Sequence, residues 1–220
     1  MNKNLETKVL KDGIMANIMK YEELRNDFKE QIVCTLKDFS TTEQNKNVYV
    51  IVFDCDLDVG QIVLRYCNLE KFENLKQEWE EYEYMYEPYG QNGLFGLKYN
   101  SVGDFPMLKY GYNGMTKHFL DSYYYYSVGD YYGEEKPIEV FEINGQKLKK
   151  NKLKKEIENI FVTMIVDTIY DIKNMSDIIN YDDDYLVFMC DHDISNDDFE
   201  EWVRKTNDDE LVDKLAQIMN

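Results

Sequence analysis

Histidine is scarce in this chain, with two residues, His118 and His192, in 220. That leaves few of the usual nucleophile-plus-base arrangements, in which an imidazole takes up the proton. No GxGxxG, no GxxxxGK followed by Ser or Thr, no HExxH and no GxSxG motif occurs, so the common nucleotide-binding, zinc-protease and hydrolase signatures are missing. The four cysteines, Cys34, Cys55, Cys67 and Cys190, are scattered without a CxxC pair; each lies in or beside an apolar run, which predicts buried reduced thiols and no disulfide framework. No apolar run approaches the roughly 18 residues of a membrane span, and the opening MNKNLETKVLKDG has no apolar signal core. The expectation is a cytoplasmic protein with no membrane partner. Positive charge is also in deficit: 25 Lys and Arg stand against 43 Asp and Glu, a net charge of -18. Such a chain repels phosphate backbones and anionic surfaces, which argues against nucleic acid as a partner and favours a basic one.

What is present is an ordinary globular composition, 44% apolar and 31% charged, with 19 tyrosines. It argues against wholesale disorder. The run Val48 to Phe53 is β-branched and aromatic throughout and reads as a buried strand. Ile62, Val63, Leu64 and Tyr66 supply its partner, and Asp54 to Gly60 reads as the turn of a β-hairpin. Ahead of it, Ile18, Tyr21, Leu24, Phe28, Ile32, Leu36 and Phe39 recur at helical spacing, predicting a helix from about Ile14 to Phe39. Asn68 is placed to cap a short helix carrying Leu69, Phe72, Leu75 and Trp79, and Glu78 to Tyr89 alternates as an extended segment. Ile138 to Ile143 predicts a strand closed by Asn144-Gly145. The clearest helix spans about Lys152 to Lys173, with an apolar stripe from Leu153 to Ile172 that should cover the sheet. Tyr185 to Met189 predicts a strand beside the hairpin, followed by closing helices broken near Thr206-Asn207-Asp208. These elements predict a single α+β domain over residues 1–220, a mainly antiparallel sheet covered by helices, with 1–13 loosely attached. Gly90 to Pro137 yields no firm elements.

Three groups of residues are candidates for function. Asp54, Asp56 and Asp58 alternate like oxygen ligands of a calcium loop, but the sixth and twelfth positions are Val59 and Arg65 rather than Gly and Glu. A hairpin turn is the preferred reading over a metal site. Asp191-His192-Asp193 follows a strand and offers one imidazole between two carboxylates; an enzyme using Asp54, Asp56, Asp58 and His192 is the alternative to a binding role. Tyr123, Tyr124, Tyr125, Tyr126, Tyr131 and Tyr132 are candidates for a recognition surface, since tyrosine combines a large apolar ring with a polar tip. No cofactor is expected.

The order of elements resembles the bacterial family termed domain of unknown function 4303. The resemblance runs from about Tyr21 to Leu215 and is carried by the hairpin Val48 to Tyr66, the stretch Glu78-Trp79-Glu80-Glu81-Tyr82, and the break Val203-Arg204-Lys205-Thr206-Asn207. Gly90 to Pro137 departs from it, being longer and richer in tyrosine. The family supplies no catalytic residues. Its looser similarity to small acidic immunity proteins implies a protein-binding module that neutralises a basic toxin, with a structural subunit as a further alternative.

Overall fold

The computed structural model describes residues 5–9, 15–19, 21–56, 61–81, 95, 98–99, 102–108, 140–143, 145–148, 153–173, 175–191 and 201–219. The centre of the molecule is the strand read from the apolar run, Val48–Asp56. In chain order the strands are β1 (Leu5–Val9), β2 (Met15–Met19), β3 (Val48–Asp56), β4 (Gln61–Asn68), β5 (Val140–Ile143), β6 (Gln146–Leu148) and β7 (Tyr181–Asp191). The helices whose full extent lies among the described residues are α1 (Tyr21–Ser40), α2 (Leu69–Glu81), α3 (Leu153–Ile172) and α4 (Asp209–Met219).

β3 pairs antiparallel with β4 and parallel with β7, so the order β4-β3-β7 puts the apolar strand in the middle. A second sheet runs β1-β2-β5-β6, with β2 and β5 parallel. The fold is α+β with mainly antiparallel sheets, as expected, and the β2–β5 and β3–β7 pairs are the parallel ones.

A central strand buried on both faces has no polar positions to alternate, which is why 48 to 53 reads as a continuous apolar run. Val48, Ile51, Phe53 and Cys55 face one core with Ile62, Leu64 and Tyr66 of β4 and Val187 and Met189 of β7. This face is covered by Phe28, Ile32, Leu36 and Phe39 of α1 and by Phe161, Met164, Ile165, Ile169 and Ile172 of α3. The apolar stripe of α3 therefore shields the sheet, and each fully buried side chain of this kind contributes about 1.5–3 kcal/mol. Tyr49, Val50 and Val52 face the other core with Leu186 and Phe188, under Phe72 of α2 and Val212 and Leu215 of α4. Tyr49 and Val50 are consecutive yet share a face because the β3–β4 register shifts between Val48 and Val50, as a bulge dictates.

α1 and α3 lie side by side on the first face. Arg25 bridges Asp167 at 3.4 Å and Asp171 at 3.0 Å, and Lys29 reaches Asp171 at 2.9 Å. The Asn68 cap of α2 forms as expected, with its Oδ1 accepting from the Lys71 N–H at 3.0 Å.

Several boundaries differ from the sequence reading. Met15–Met19 is a strand and the helix starts at Tyr21, because a few apolar residues at helical spacing are equally consistent with a short strand once a pairing partner exists. Leu5–Val9, in the stretch expected to be loosely attached, pairs with that strand. Asp54 and Asp56 belong to β3 and not to a turn, pairing with Val63 and Gln61. α2 runs to Glu81, past the start of the expected extended segment; 82–89 lies outside the described residues.

Candidate functional site

Asp54 is the best-defined of the residues singled out from sequence. Its partner across the ladder is Val63, so Arg65, two residues along β4, is its diagonal neighbour on the same face. The Arg65 Nε donates to Asp54 Oδ2 at 2.7 Å, with the side chains 14% and 7% exposed. A second guanidinium nitrogen of Arg65 donates to the Phe105 carbonyl at 3.0 Å. One oxygen of the supposed ligand is thus committed to a buried ion pair. Asp56 ends the same strand, and Asp58 lies outside the described residues. Among the described residues no three His, Cys, Asp or Glu side chains gather as a metal site. Cys190 is held as a thiol: burial pushes it up most, with Asp54 and Asp191 adding to the shift and Arg65 opposing it. His118, His192 and the six tyrosines at 123–126, 131 and 132 lie outside the described residues.

A cluster that the sequence did not signal surrounds Lys98. Its ammonium sits 5.0 Å from the Tyr49 ring centroid, 5.5 Å from Tyr99 and 5.8 Å from Phe72, and 3.2 Å from Asp184 Oδ2. The Tyr99 hydroxyl donates to the Asp184 carbonyl at 2.8 Å. Three ring faces and one carboxylate hold a cation whose side chain is 5% exposed. This box is filled by the protein's own lysine, so it fixes Lys98 and Tyr99 against the sheet and offers no room to a ligand. A lone Lys in the segment Leu97-Lys98-Tyr99 carries no local signal of burial.

The described residues also form an open cavity of 680 Å³ at the carboxyl end of α1. Three pieces of chain make its walls. The end of α1 and the following loop contribute Thr35, Asp38, Phe39, Thr41, Thr42 and Gln44, β4 contributes Tyr66, and the edge segment contributes Met107 and Leu108. This segment is positioned by the sheet: Tyr66 N–H donates to Pro106 O at 3.2 Å and Leu108 N–H to Leu64 O at 3.0 Å, forming an isolated antiparallel bridge between Arg65 and Met107 on the β4 edge. Met107 is 63% exposed as a result.

The loop after α1 is fixed by side chains. Asn45 donates from Nδ2 to Ile178 O at 2.9 Å and accepts the Asn180 N–H at 2.9 Å, while Asn68 Nδ2 donates to Gln44 O at 3.1 Å. Asn47 adopts φ 49°, a left-handed conformation that Asn tolerates better than most residues, as the chain enters β3.

Ser40, Thr41 and Thr42 cap the helix end. Their hydroxyls donate to the carbonyls of Lys37, Asp38 and Phe39 at 2.6, 2.8 and 2.7 Å, three of the acceptors that a helix leaves without partners. The Phe39 and Tyr66 rings meet at 4.6 Å and 53° and form the cavity's apolar back. Burial pushes the Tyr66 hydroxyl above its ordinary range, with Cys67 adding to the shift, so it stays neutral. From sequence this loop reads only as a polar connection, because the groups opposite it lie in Gly90 to Pro137, which had no readable elements.

Comparisons with protein-family models, curated proteins and solved structures return no match. No helix among the described residues is long and apolar enough to cross a membrane.

Proposed function

We propose that this chain is a protein-binding module whose partner is a basic protein, acting in the manner of an immunity protein that neutralises a toxin in the cytoplasm. The observation that carries this reading is the fate of its arginines. The chain has three, Arg25, Arg65 and Arg204, and each is held in an ion pair with aspartates of the same chain: Asp167 and Asp171, Asp54, and Asp209 and Asp213. Lys29, Lys98 and Lys205 are likewise paired with Asp171, Asp184 and Glu201. Each of these cations is thus neutralised by a carboxylate of its own chain, whose net charge is -18. The excess of carboxylates defines the outward field, which would steer and accelerate encounter with a basic surface.

The test is co-expression with a basic protein encoded in a neighbouring reading frame, scoring growth and co-purification. Protection from toxicity, together with a complex whose affinity falls steeply as salt is added, supports the reading. Undiminished toxicity and no complex at low ionic strength overturn it.

A further inference from the structure

From the chemistry of its walls, we infer that the cavity at the carboxyl end of α1 receives an arginine side chain of a protein partner. The inference rests on the protein-binding reading above and names the group that the partner would insert.

Most polar groups of the cavity walls are acceptors, and Gln44 adds an amide that can turn its oxygen inward. Thr41 and Thr42 each have one hydroxyl proton, and each gives it to a helix carbonyl, at 2.8 and 2.7 Å. What their oxygens present outward is lone pairs. Asp38 adds carboxylate oxygens as acceptors, and the helix end adds a partial negative charge. Among the described residues no Lys, Arg or His lines the cavity; Lys37 lies in the same last turn of α1 but is not part of the wall. An anion would find no cationic partner there.

A guanidinium suits the shape as well as the charge. Its five donors form a planar fork that meets several separated acceptors at once, whereas an ammonium is a compact point charge. A divalent metal would want more than one carboxylate among several oxygen ligands. Phe39, Tyr66 and Leu108 form an apolar surface against which an arginine stem can pack, and the exposed Met107 supplies a flexible thioether able to close over it. The volume, 680 Å³, is that of a working ligand cavity. The Asn45 and Asn68 hydrogen bonds hold the acceptor loop in place, so little ordering remains to be done on binding.

The experiment is a titration of the full chain with N-acetyl-arginine amide, followed by amide shifts and by the methionine methyl signals. Saturable shifts at Thr41, Thr42 and Met107 are expected, with the neutral citrulline analogue at least about tenfold weaker and Asp38→Asn about fivefold weaker. No shift, equal binding of citrulline, equal binding of the lysine analogue, or an unchanged Asp38→Asn variant each overturns the inference. Asp38 is exposed, so Asp38→Asn should leave the rest of the spectrum intact; Met107→Ala provides a second variant, expected to weaken binding about threefold. The two readings fail separately. A basic protein that binds Asp38→Asn as tightly as the original chain removes the cavity and keeps the module. Arginine amide binding with no basic protein partner does the reverse.

Discussion

Asp54 and Arg65 are buried together, and the energetics of such a pair are asymmetric: the pair as a whole is worth little, while half of it is costly. Arg65→Met should therefore destabilise by about 3 kcal/mol or more, since a carboxylate is left inside the sheet with its main partner gone. Adding Asp54→Leu should restore most of that loss, and urea unfolding of the three variants measures it. Tyr49 is the opposite case. Its ring packs edge-on against Phe72, Tyr99 and Phe105 at 5.7, 5.6 and 6.4 Å, yet among the described residues its buried hydroxyl meets no oxygen or nitrogen partner and has only the weakly bonding Cys67 thiol beside it. Tyr49→Phe keeps the ring contacts and removes a desolvated polar atom, so the same urea series should show no loss and a gain of up to about 1 kcal/mol. A loss of several kcal/mol would mean that the hydroxyl is bonded after all.

Among the elements, the three-stranded sheet is notable for how its edges are treated. The β4 edge is covered by 106–108 through the Tyr66 and Leu108 hydrogen bonds. On β7, the outward backbone groups of Val187 are met by side chains: its N–H donates to Asn207 Oδ1 at 3.2 Å, and its carbonyl accepts from Thr206 Oγ1 at 2.7 Å and Asn207 Nδ2 at 2.9 Å. Asn207 also donates to Val203 O at 2.8 Å, the carbonyl its own N–H reaches at 3.2 Å, closing the helical turn seen at 201–204. One side chain therefore ends a helix and covers a strand edge, which would otherwise be a template for pairing with another chain. Asn207→Ala should cost about 1–3 kcal/mol, raise the exchange rate of the Val187 amide, and promote self-association. Hydrogen exchange and sedimentation check all three, and an unprotected Val187 amide in the original chain would refute the account. Thr206-Asn207 was legible in the sequence as a helix break. That it also serves a strand nineteen residues earlier was not, because nothing local records which strand lies at an edge.

For the molecule as a whole, the consequence of so much buried tyrosine is sensitivity to alkali. Tyr21 is pushed up from 10.0 to about 12, first by burial and then by the Asp167 carboxylate beside it. Burial likewise raises Tyr49 and Tyr99. In each case the folded state keeps a proton that the unfolded chain releases, so stability is unaffected below pH 10 and falls as pH rises; for Tyr21 the window is about 10 to 12. A titration of tyrosinate absorbance should accordingly show exposed tyrosines ionising first and a further group ionising in one cooperative step with loss of helix signal. Independent ionisation of all 19 tyrosines before unfolding would contradict this.

By itself the sequence determined the local elements. The β-branched run at Val48 to Phe53, the stripes of α1 and α3 and the Asn68 cap are written in neighbouring residues, because burial of one face imposes a period that can be counted. It determined the net charge of -18. Only the tertiary structure decided that β7 runs parallel to β3, that Asp54 belongs to an ion pair with Arg65, and that Lys98 is enclosed by three rings. The same is true of the cavity, where Asp38, Tyr66 and Met107 meet from distant parts of the chain. Each of these depends on which segments pack together, and pairing between distant segments is chosen by the energy of the whole fold rather than by any stretch of residues.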